Sequence, residues 1–153
     1  MTDVVDPATR SRMMSGIGAR NTKPELVVRK ALFAAGFRFR LHRKDLPGCP
    51  DVVLPGRRIA VFVHGCFWHA HRGCRFAKIP AARREFWEAK LAANVERDRR
   101  AIGALVSAGW RVLVVWECAT RLVDMRGALP ELLRRWIDSS EVSGEFCSDS
   151  TLP

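Results

Sequence analysis

One short stretch of the chain concentrates the side chains that could do chemistry. The segment from His64 to Cys74 holds three of the four histidines and two of the five cysteines. It directly follows the apolar run from Ile59 to Val63, which is typical of a buried strand. Ligand-type side chains on a loop after a core strand commonly form a functional site. We therefore predict a site here that combines metal ligands with proton-transfer groups.

Three residues of this loop have the types and spacing of zinc ligands. Zinc prefers four thiolate or imidazole ligands in a tetrahedron, and Cys66, His71 and Cys74 would supply three of them. Cys118 is the best candidate for the fourth, because it ends a second apolar run that would neighbour the first in a sheet. The alternative is that these are free cysteines, which pack as small hydrophobic residues.

Asp51 is predicted to lie beside the histidines of the loop. It begins a short apolar run that is separated from the next run by the turn Pro55-Gly56. Such a pattern predicts a hairpin or a close strand pair. Antiparallel pairing would bring Asp51, at the start of the first strand, next to His64 at the end of the second.

Asp98 is the second acid with an unexpected position. It falls in the apolar stripe of a long helical pattern, between Val95 and Ile102. A carboxylate that faces the core is costly unless it is paired, so a histidine of the loop is its expected partner. The alternative is an ion pair with a neighbouring arginine, although these arginines project to other faces of the helix.

The elements that must position these groups alternate between helix and strand. Thr22-x-Pro-Glu25 is a capping-box start, in which Glu25 is either the reciprocal cap or a site residue. The predicted elements are a helix from Thr22 to Gly36, strands over Phe37–Leu41, 51–54 and 57–63, a helix from Pro80 to about Ser107 with the stripe Trp87, Leu91, Val95, Ile102 and Leu105, a strand over Arg111–Trp116 and a helix over Leu129–Ile137. This order predicts an α/β domain with a mixed sheet and helices on both faces.

The length and the charge bound the class of protein. The 153 residues suit one domain over 1–138, with an N-terminal arm at 1–20 and a serine-rich, acidic tail at 139–153 that we predict to be disordered. The formal net charge of +10 favours a polyanion as partner, and nucleic acid above all. We expect no signal peptide, no membrane span and a reducing cytoplasm.

The candidate residues together favour one reaction. A carboxylate at the start of a strand is a good Mg²⁺ ligand. Histidine is the best proton shuttle at neutral pH, and an aspartate on its far nitrogen would fix its tautomer. A metal, an activated water and a basic surface together predict phosphodiester hydrolysis.

Four motifs carry a resemblance to a known family. Pro50-Asp51, Val63–His69, Asn94–Arg100 and Gly109–Cys118 resemble, in this order, the very short patch repair endonucleases of the Vsr family. The resemblance covers nearly the whole chain and implies a restriction-endonuclease type of fold. It implies a nick on the 5′ side of the thymine in a T·G mismatch, which arises by deamination of 5-methylcytosine. It also implies a monomer on double-stranded DNA in the bacterial cytoplasm, associated with the nucleoid, with repair proteins as partners.

The resemblance further implies roles for the matching residues. Asp51 would bind the catalytic Mg²⁺, together with the main-chain carbonyl of Val63, which stands where the family often has threonine. His69 would be the general acid or base, with Asp98 as its partner. The other implied roles are water or phosphate binding for His64 and Glu25, a structural zinc for Cys66, His71, Cys74 and Cys118, an aromatic wedge for Phe67, Trp68 and Trp87, and an approach from the minor groove for Met14 and Ile17.

Two alternatives stay open at this stage. The first is a restriction-type endonuclease on the same fold that cuts paired DNA. The second is a zinc-stabilised DNA-binding module without catalysis, which would be favoured if Asp51 and His69 lay far apart.

Overall fold

A mixed β-sheet with helices on both faces forms the body of the molecule, as the order of the apolar runs predicted. The computed structural model describes residues 21–148, so the predicted N-terminal arm with Met14 and Ile17 lies outside the described residues. The elements are helix α1 (Lys23–Ala34), strands β1 (Arg40–Leu41), β2 (Val52–Leu54) and β3 (Ile59–His64), helix α2 (Arg84–Ser107), strand β4 (Arg111–Trp116), helices α3 (Glu117–Arg121) and α4 (Val123–Asp138), and strand β5 (Ser143–Phe146).

The strands lie side by side in chain order. Strands β1, β2 and β3 are antiparallel to one another, whereas β3, β4 and β5 are parallel. The predicted hairpin is confirmed, since Leu54 pairs with Ile59 and Val52 pairs with Val61. The parallel pair β3–β4 ends at His64 opposite Trp116, so the chain leaves both central strands at the same edge of the sheet.

Alternation along the strands divides the core between the two faces of the sheet. Val61 and Leu113 pack on one face against α1 and α4, while Phe62 and Val112 pack on the other face near Leu105 of α2. This division follows from the two-residue period of a strand. Full burial of each such side chain contributes about 1.5–3 kcal/mol, so the sheet is firmly held between its helices.

The last helix follows its predicted apolar face closely. Its five predicted core positions are all buried, namely Leu129, Leu132, Leu133, Trp136 and Ile137. The helix starts earlier than expected, at Val123, and Pro130 lies inside it. The buried face, which Met125 extends by a further turn, offsets the hydrogen bond that proline cannot donate.

Two sequence predictions were wrong in detail. The strand expected over Phe37–Leu41 is reduced to Arg40–Leu41, since only these two residues pair with β2. The long helix begins at Arg84, and Val95 of its predicted stripe is 42% exposed. Asn94 stands on the inner face instead, one residue before Val95 and four before Asp98.

The prediction of a disordered tail over 139–153 was also wrong for its first part. Ser143–Phe146 forms strand β5, which pairs in parallel with β4 from Val112 to Val115. The tail is polar and forms no core of its own, but the open edge of β4 supplies the backbone partners that composition cannot reveal. Residues 149–153 lie outside the described part of the chain.

Among residues 21–148, we find no helix that combines the length and the apolarity needed to cross a bilayer.

Candidate active site and metal centre

Asp51 lines a cleft because the hairpin places it there. It precedes β2, and the antiparallel register brings it beside Val63 of β3, whose main-chain N–H donates to Oδ2 at 2.7 Å. Burial raises the pKa of Asp51 to about 6, against the opposing influence of the Val63 N–H and of two histidines. A bound cation would stabilise the ionised form of this carboxylate.

Glu25 reaches the same region from the start of α1. Thr22 caps this helix, since its side chain accepts the Glu25 N–H at 3.4 Å. The carboxylate is not the reciprocal cap of Thr22, because its Oε2 accepts the N–H of Asn21 at 2.9 Å. The same oxygen contacts Arg29 at 2.9 Å and His42 Nε2 at 3.1 Å, and the side chain is only 4% exposed.

His42 was missed by the sequence analysis. It lies in the loop after β1, and ligand atoms of Glu25, His42 and Asp51 all lie within 4.8 Å of one another. This group has the composition of a divalent cation site, with two carboxylates and one imidazole. The available signal was weak: His42 is the one histidine outside the 64–71 stretch and sits in a basic segment with no motif.

His69 and Asp98, which also line the cleft, are in direct contact with each other. His69 Nδ1 lies 2.5 Å from Asp98 Oδ2, as expected for a histidine partner of the acid on α2. Both side chains are about a quarter exposed. A carboxylate on Nδ1 directs the other ring nitrogen, Nε2, away from Asp98 and makes it available for proton transfer.

The imidazole of His64 packs against that of His69. The two imidazole rings are stacked, with centroids 3.8 Å apart and planes 3° from parallel. Burial lowers the pKa of His64 to about 3, assisted by the charge of His69 and opposed by that of Asp98. His64 is therefore neutral at pH 7, so the stacked pair carries at most one positive charge.

A separate cluster, which does not line the cleft, is formed by Cys66, His71, Cys74 and Cys118. One ligand atom from each lies within 4.8 Å of all the others, so the group could hold a metal ion. The structure thus brings Cys118, the expected fourth member, together with the three residues of the loop. Burial raises the pKa values of the Cys66 and Cys118 thiols, so an ion must be present to hold them as thiolates.

The surroundings of this cluster suit bound thiolates. The main-chain N–H of Cys118 lies 3.3 Å from Cys66 Sγ, and the N–H of Ser148, just after β5, lies 3.3 Å from Cys118 Sγ. The His71 ring stacks on Trp116 with centroids 4.0 Å apart. Outer contacts of this kind orient metal ligands and support their charge.

Three aromatic side chains form a cluster at the rim. The ring centroids of Phe67, Trp68 and Trp87 lie between 5.1 and 5.9 Å from one another, in edge-to-face geometry. Asn94, another residue that the sequence analysis missed, donates to the Trp68 carbonyl at 2.9 Å. Its position four residues before Asp98, on the same helix face, was a usable signal.

Most of these groups line one open cleft of about 1440 Å³, namely Glu25, His42, Asp51, His64, Phe67, Trp68, His69 and Asp98. The lining also includes a set of basic side chains, namely Lys23, Lys44, Lys90, Arg97 and Arg121. A basic cleft that contains carboxylates and histidines can bind a phosphodiester and supply both a cation site and a proton-transfer group.

Comparisons with known proteins agree with this chemistry. A sequence profile of the family described as DNA mismatch endonuclease Vsr matches residues 2–75. The chain is 51% identical over 140 residues to the type II nicking enzyme V.XorIIP of Xanthomonas oryzae pv. oryzae, covering 92% of this chain and 100% of that protein. It is 47% identical over 150 residues to the DNA mismatch endonuclease Vsr of Escherichia coli K12, covering 95% and 94%. The type II nicking enzyme V.NaeI of Lentzea aerocolonigenes is 44% identical over 143 residues, covering 90% and 84%.

The fold, the cleft and these relatives define the class of the protein. The chain is an endodeoxyribonuclease with a restriction-endonuclease-like fold, in which a mixed sheet carries the site at the edge where β3 and β4 end. Within that class, it belongs to the Vsr family of DNA mismatch endonucleases.

Proposed function

We propose that this endonuclease nicks one strand of double-stranded DNA on the 5′ side of the thymine in a T·G mismatch. Such mismatches arise when 5-methylcytosine is deaminated, and the nick is made by Mg²⁺-dependent hydrolysis of the phosphodiester. The observation that carries the proposal is the cleft, which is lined by Asp51, by the His69–Asp98 pair and by two rings of the aromatic cluster. The printed names of the relatives, a mismatch endonuclease and nicking enzymes, support it.

The residues around Asp51 fit a magnesium ion. Mg²⁺ prefers oxygen ligands and keeps several waters, so one or two carboxylates and a carbonyl suffice. Val63 donates its N–H to Oδ2 of Asp51, which leaves Oδ1 for a cation. Asp51 and the main-chain carbonyl of Val63 would hold the ion, and Glu25 would bind its waters. When bound, Mg²⁺ would polarise the phosphate and lower the pKa of a bound water.

His69 is the proposed proton-transfer residue. Its Nδ1 lies 2.5 Å from Asp98 Oδ2, so Nε2 is the ring nitrogen that would exchange a proton with substrate or water. His64, neutral and stacked on the same ring, keeps the imidazole in place and binds water or phosphate. A general acid or base of this kind contributes ~10²–10⁴-fold to the rate of the chemical step.

We assign zinc to the cysteine and histidine cluster. The donor set of three thiols and one imidazole is typical of closed structural zinc sites, which leave no position for substrate. The cluster would tie the 66–74 loop to Cys118, which lies just after β4 at the start of α3. Its proposed role is therefore to hold the loop that carries His69.

The aromatic cluster is the proposed mismatch sensor. Phe67, Trp68 and Trp87 would enter the duplex beside the mismatch, while Met14 and Ile17 would approach from the minor groove. Unstacking a base step costs a few kcal/mol, and a mismatched step costs less than a paired one. A wedge that must unstack the duplex would therefore enter a T·G site more easily than a T·A site.

Binding to DNA is expected to depend strongly on salt. With a net charge of +10, the protein would neutralise several phosphates and release their counterions. Six phosphate contacts would lower the affinity by roughly 10³-fold between 50 and 200 mM salt. An affinity that stays flat over this range would argue against DNA as the main partner. We infer that the protein works as a monomer on the nucleoid, in the bacterial cytoplasm, with repair proteins as partners.

The deciding experiment is single-turnover nicking of a panel of duplexes that differ at one base pair. We expect one cut, on the thymine strand of the T·G duplex and 5′ of that base, only when Mg²⁺ is present. Equal cleavage of both strands of the T·A duplex would instead identify a restriction-type enzyme. Binding without any cleavage would identify a DNA-binding module.

A further inference from the structure

His42 is held next to Asp51 by the main chain. The β1–β2 ladder pairs Leu41 with Val52. It continues one step further, where the His42 N–H donates to the Asp51 carbonyl at 3.1 Å. His42 has a φ of +48°, so the chain turns at this residue directly opposite Asp51. The sheet therefore fixes the main chain of His42 beside Asp51.

The side chain of His42 completes a group of ligand atoms that are close enough together to share one metal ion. Its Nε2 lies 3.1 Å from Glu25 Oε2, and the ligand atoms of Glu25, His42 and Asp51 all lie within 4.8 Å of one another. Ligands bound to one ion at ~2.1 Å are about 3–4.2 Å apart, so small side-chain rotations would let all three bind together.

The other contacts of these side chains orient them for this purpose. Asp51 Oδ2 accepts the Val63 N–H, and among residues 21–148 the hydrogen bonds of the Glu25 carboxylate all go to Oε2. One oxygen of each carboxylate thus remains for a cation. Arg29 Nη2 lies 2.9 Å from Glu25 Oε2 and 3.4 Å from His42 Nε2, which fixes these two side chains relative to each other.

We propose that His42 is a nitrogen ligand of the divalent cation at Asp51 and shifts the preference of the site from Mg²⁺ towards Mn²⁺ and other metals that bind imidazole. The inference rests on the proposed function only in taking Asp51 as a cation ligand. Mg²⁺ binds almost entirely through oxygen, whereas affinity for nitrogen rises along the series from Mn²⁺ to Cu²⁺. A site with two carboxylates and an imidazole therefore favours the metals from Mn²⁺ to Cu²⁺ more than a site built from oxygen alone does.

The test is Mn²⁺ binding to the full-length, zinc-loaded protein without DNA. Electron paramagnetic resonance counts the free Mn²⁺, and electron spin echo modulation detects a coordinated ¹⁴N nucleus. We expect nitrogen modulation in the wild type, in His64→Gln and in His69→Gln, and its loss in His42→Gln. Removing a residue that only hydrogen-bonds to a metal ligand weakens metal binding ~10–100-fold. Removing His42, a direct ligand, should therefore weaken Mn²⁺ binding by at least about tenfold. Mg²⁺ affinity, measured by competition, should fall less than about threefold.

Several outcomes would overturn the assignment. They are the absence of saturable Mn²⁺ binding, the absence of nitrogen modulation in the wild type, its persistence in His42→Gln, or its loss in either His64→Gln or His69→Gln. If His42→Gln fails to fold, the His64→Gln and His69→Gln proteins still decide, because the chain has four histidines and His71 lies in the cysteine cluster. Nicking is measured separately: a protein that shows the nitrogen ligand but ignores T·G duplexes would refute the proposed function alone.

Discussion

Replacing Asp98 with asparagine should slow the chemical step while leaving the fold intact. The carboxylate lies 2.5 Å from His69 Nδ1, and both side chains are about a quarter exposed, so water screens the pair only partly. Asparagine keeps the shape but removes the charge that stabilises the imidazolium form of His69. A hydrogen bond to a charged group contributes about 1.5–3 kcal/mol. If this stabilisation is needed in the transition state, the nicking rate should fall roughly 10- to 150-fold, since 1.36 kcal/mol corresponds to tenfold.

The assay is single-turnover nicking of a T·G duplex at saturating protein, with zinc content and duplex affinity measured on the same preparation. Glu96→Gln is the matched control, because Glu96 lies on the same helix but makes exposed ion pairs with Arg99 and Arg100. The control should cut at the wild-type rate, and His69→Ala should nearly abolish cutting while retaining zinc. The reasoning is refuted if Asp98→Asn cuts as fast as the wild type, or if its defect is explained by lost zinc or lost duplex binding.

Three further changes test the other parts of the site. Cys118→Ala should lose bound zinc and melt at a lower temperature, and elemental analysis that finds no zinc in the wild type, purified without chelator, would contradict this. Trp68→Ala should reduce the preference for T·G over T·A duplexes more than it reduces general duplex affinity; a thermal melt must show that the variant is folded, since a large loss of stability would mean a core role instead. Asp51→Asn should abolish cleavage yet stabilise the Mg²⁺-free protein at pH 8. The pKa of Asp51 is raised to about 6 in the folded state, so the folded wild type holds its proton more tightly than the unfolded chain and loses stability as the pH rises from about 4 to 6. Measured by urea unfolding, the free energy of unfolding of the variant should exceed that of the wild type by about 2–3 kcal/mol at pH 8 and should equal it at pH 4. Equal free energies at pH 8 would show that burial does not disfavour the charged form of Asp51.

Much of the fold and of the site was predictable because the signals are local. The runs of residues 51–54 and 59–63 with a Pro-Gly turn between them specify a hairpin, and the hairpin alone brings Asp51 to Val63. The contact between His69 and Asp98 followed from the cost of an acid on the inner face of α2. In both cases one neighbouring element and one energetic requirement were sufficient.

The features that were missed depend on pairing between distant segments. Strand β5 forms because β4 has an open edge, which the composition of residues 139–148 does not reveal. His42 reaches Asp51 only through the register of β1 with β2, and the alternating pattern of residues 37–41 did not show where that register ends. A one-residue shift in that ladder would have turned a different side chain towards the acids. Sequence alone gave no basis for choosing between the registers.

The proposed zinc ligands and the proposed catalytic histidines alternate along one short loop, and this order has a physical consequence. Along the chain, His69 lies between Cys66 and His71, which both belong to the cysteine and histidine cluster. His64 is the last residue of β3, just before this loop. Between β3 and α2 the described chain has little regular structure beyond one 3₁₀ turn, so repeated backbone hydrogen bonds cannot hold His69 in place. A structural zinc site contributes about 10–16 kcal/mol of binding free energy to folding. Because members of the cluster lie on either side of His69 in the sequence, bound zinc would fix the imidazole against Asp98 and His64. Without zinc, the loop would leave the proton-transfer group free to move. Loss of the metal should therefore affect stability first and cleavage through the position of His69.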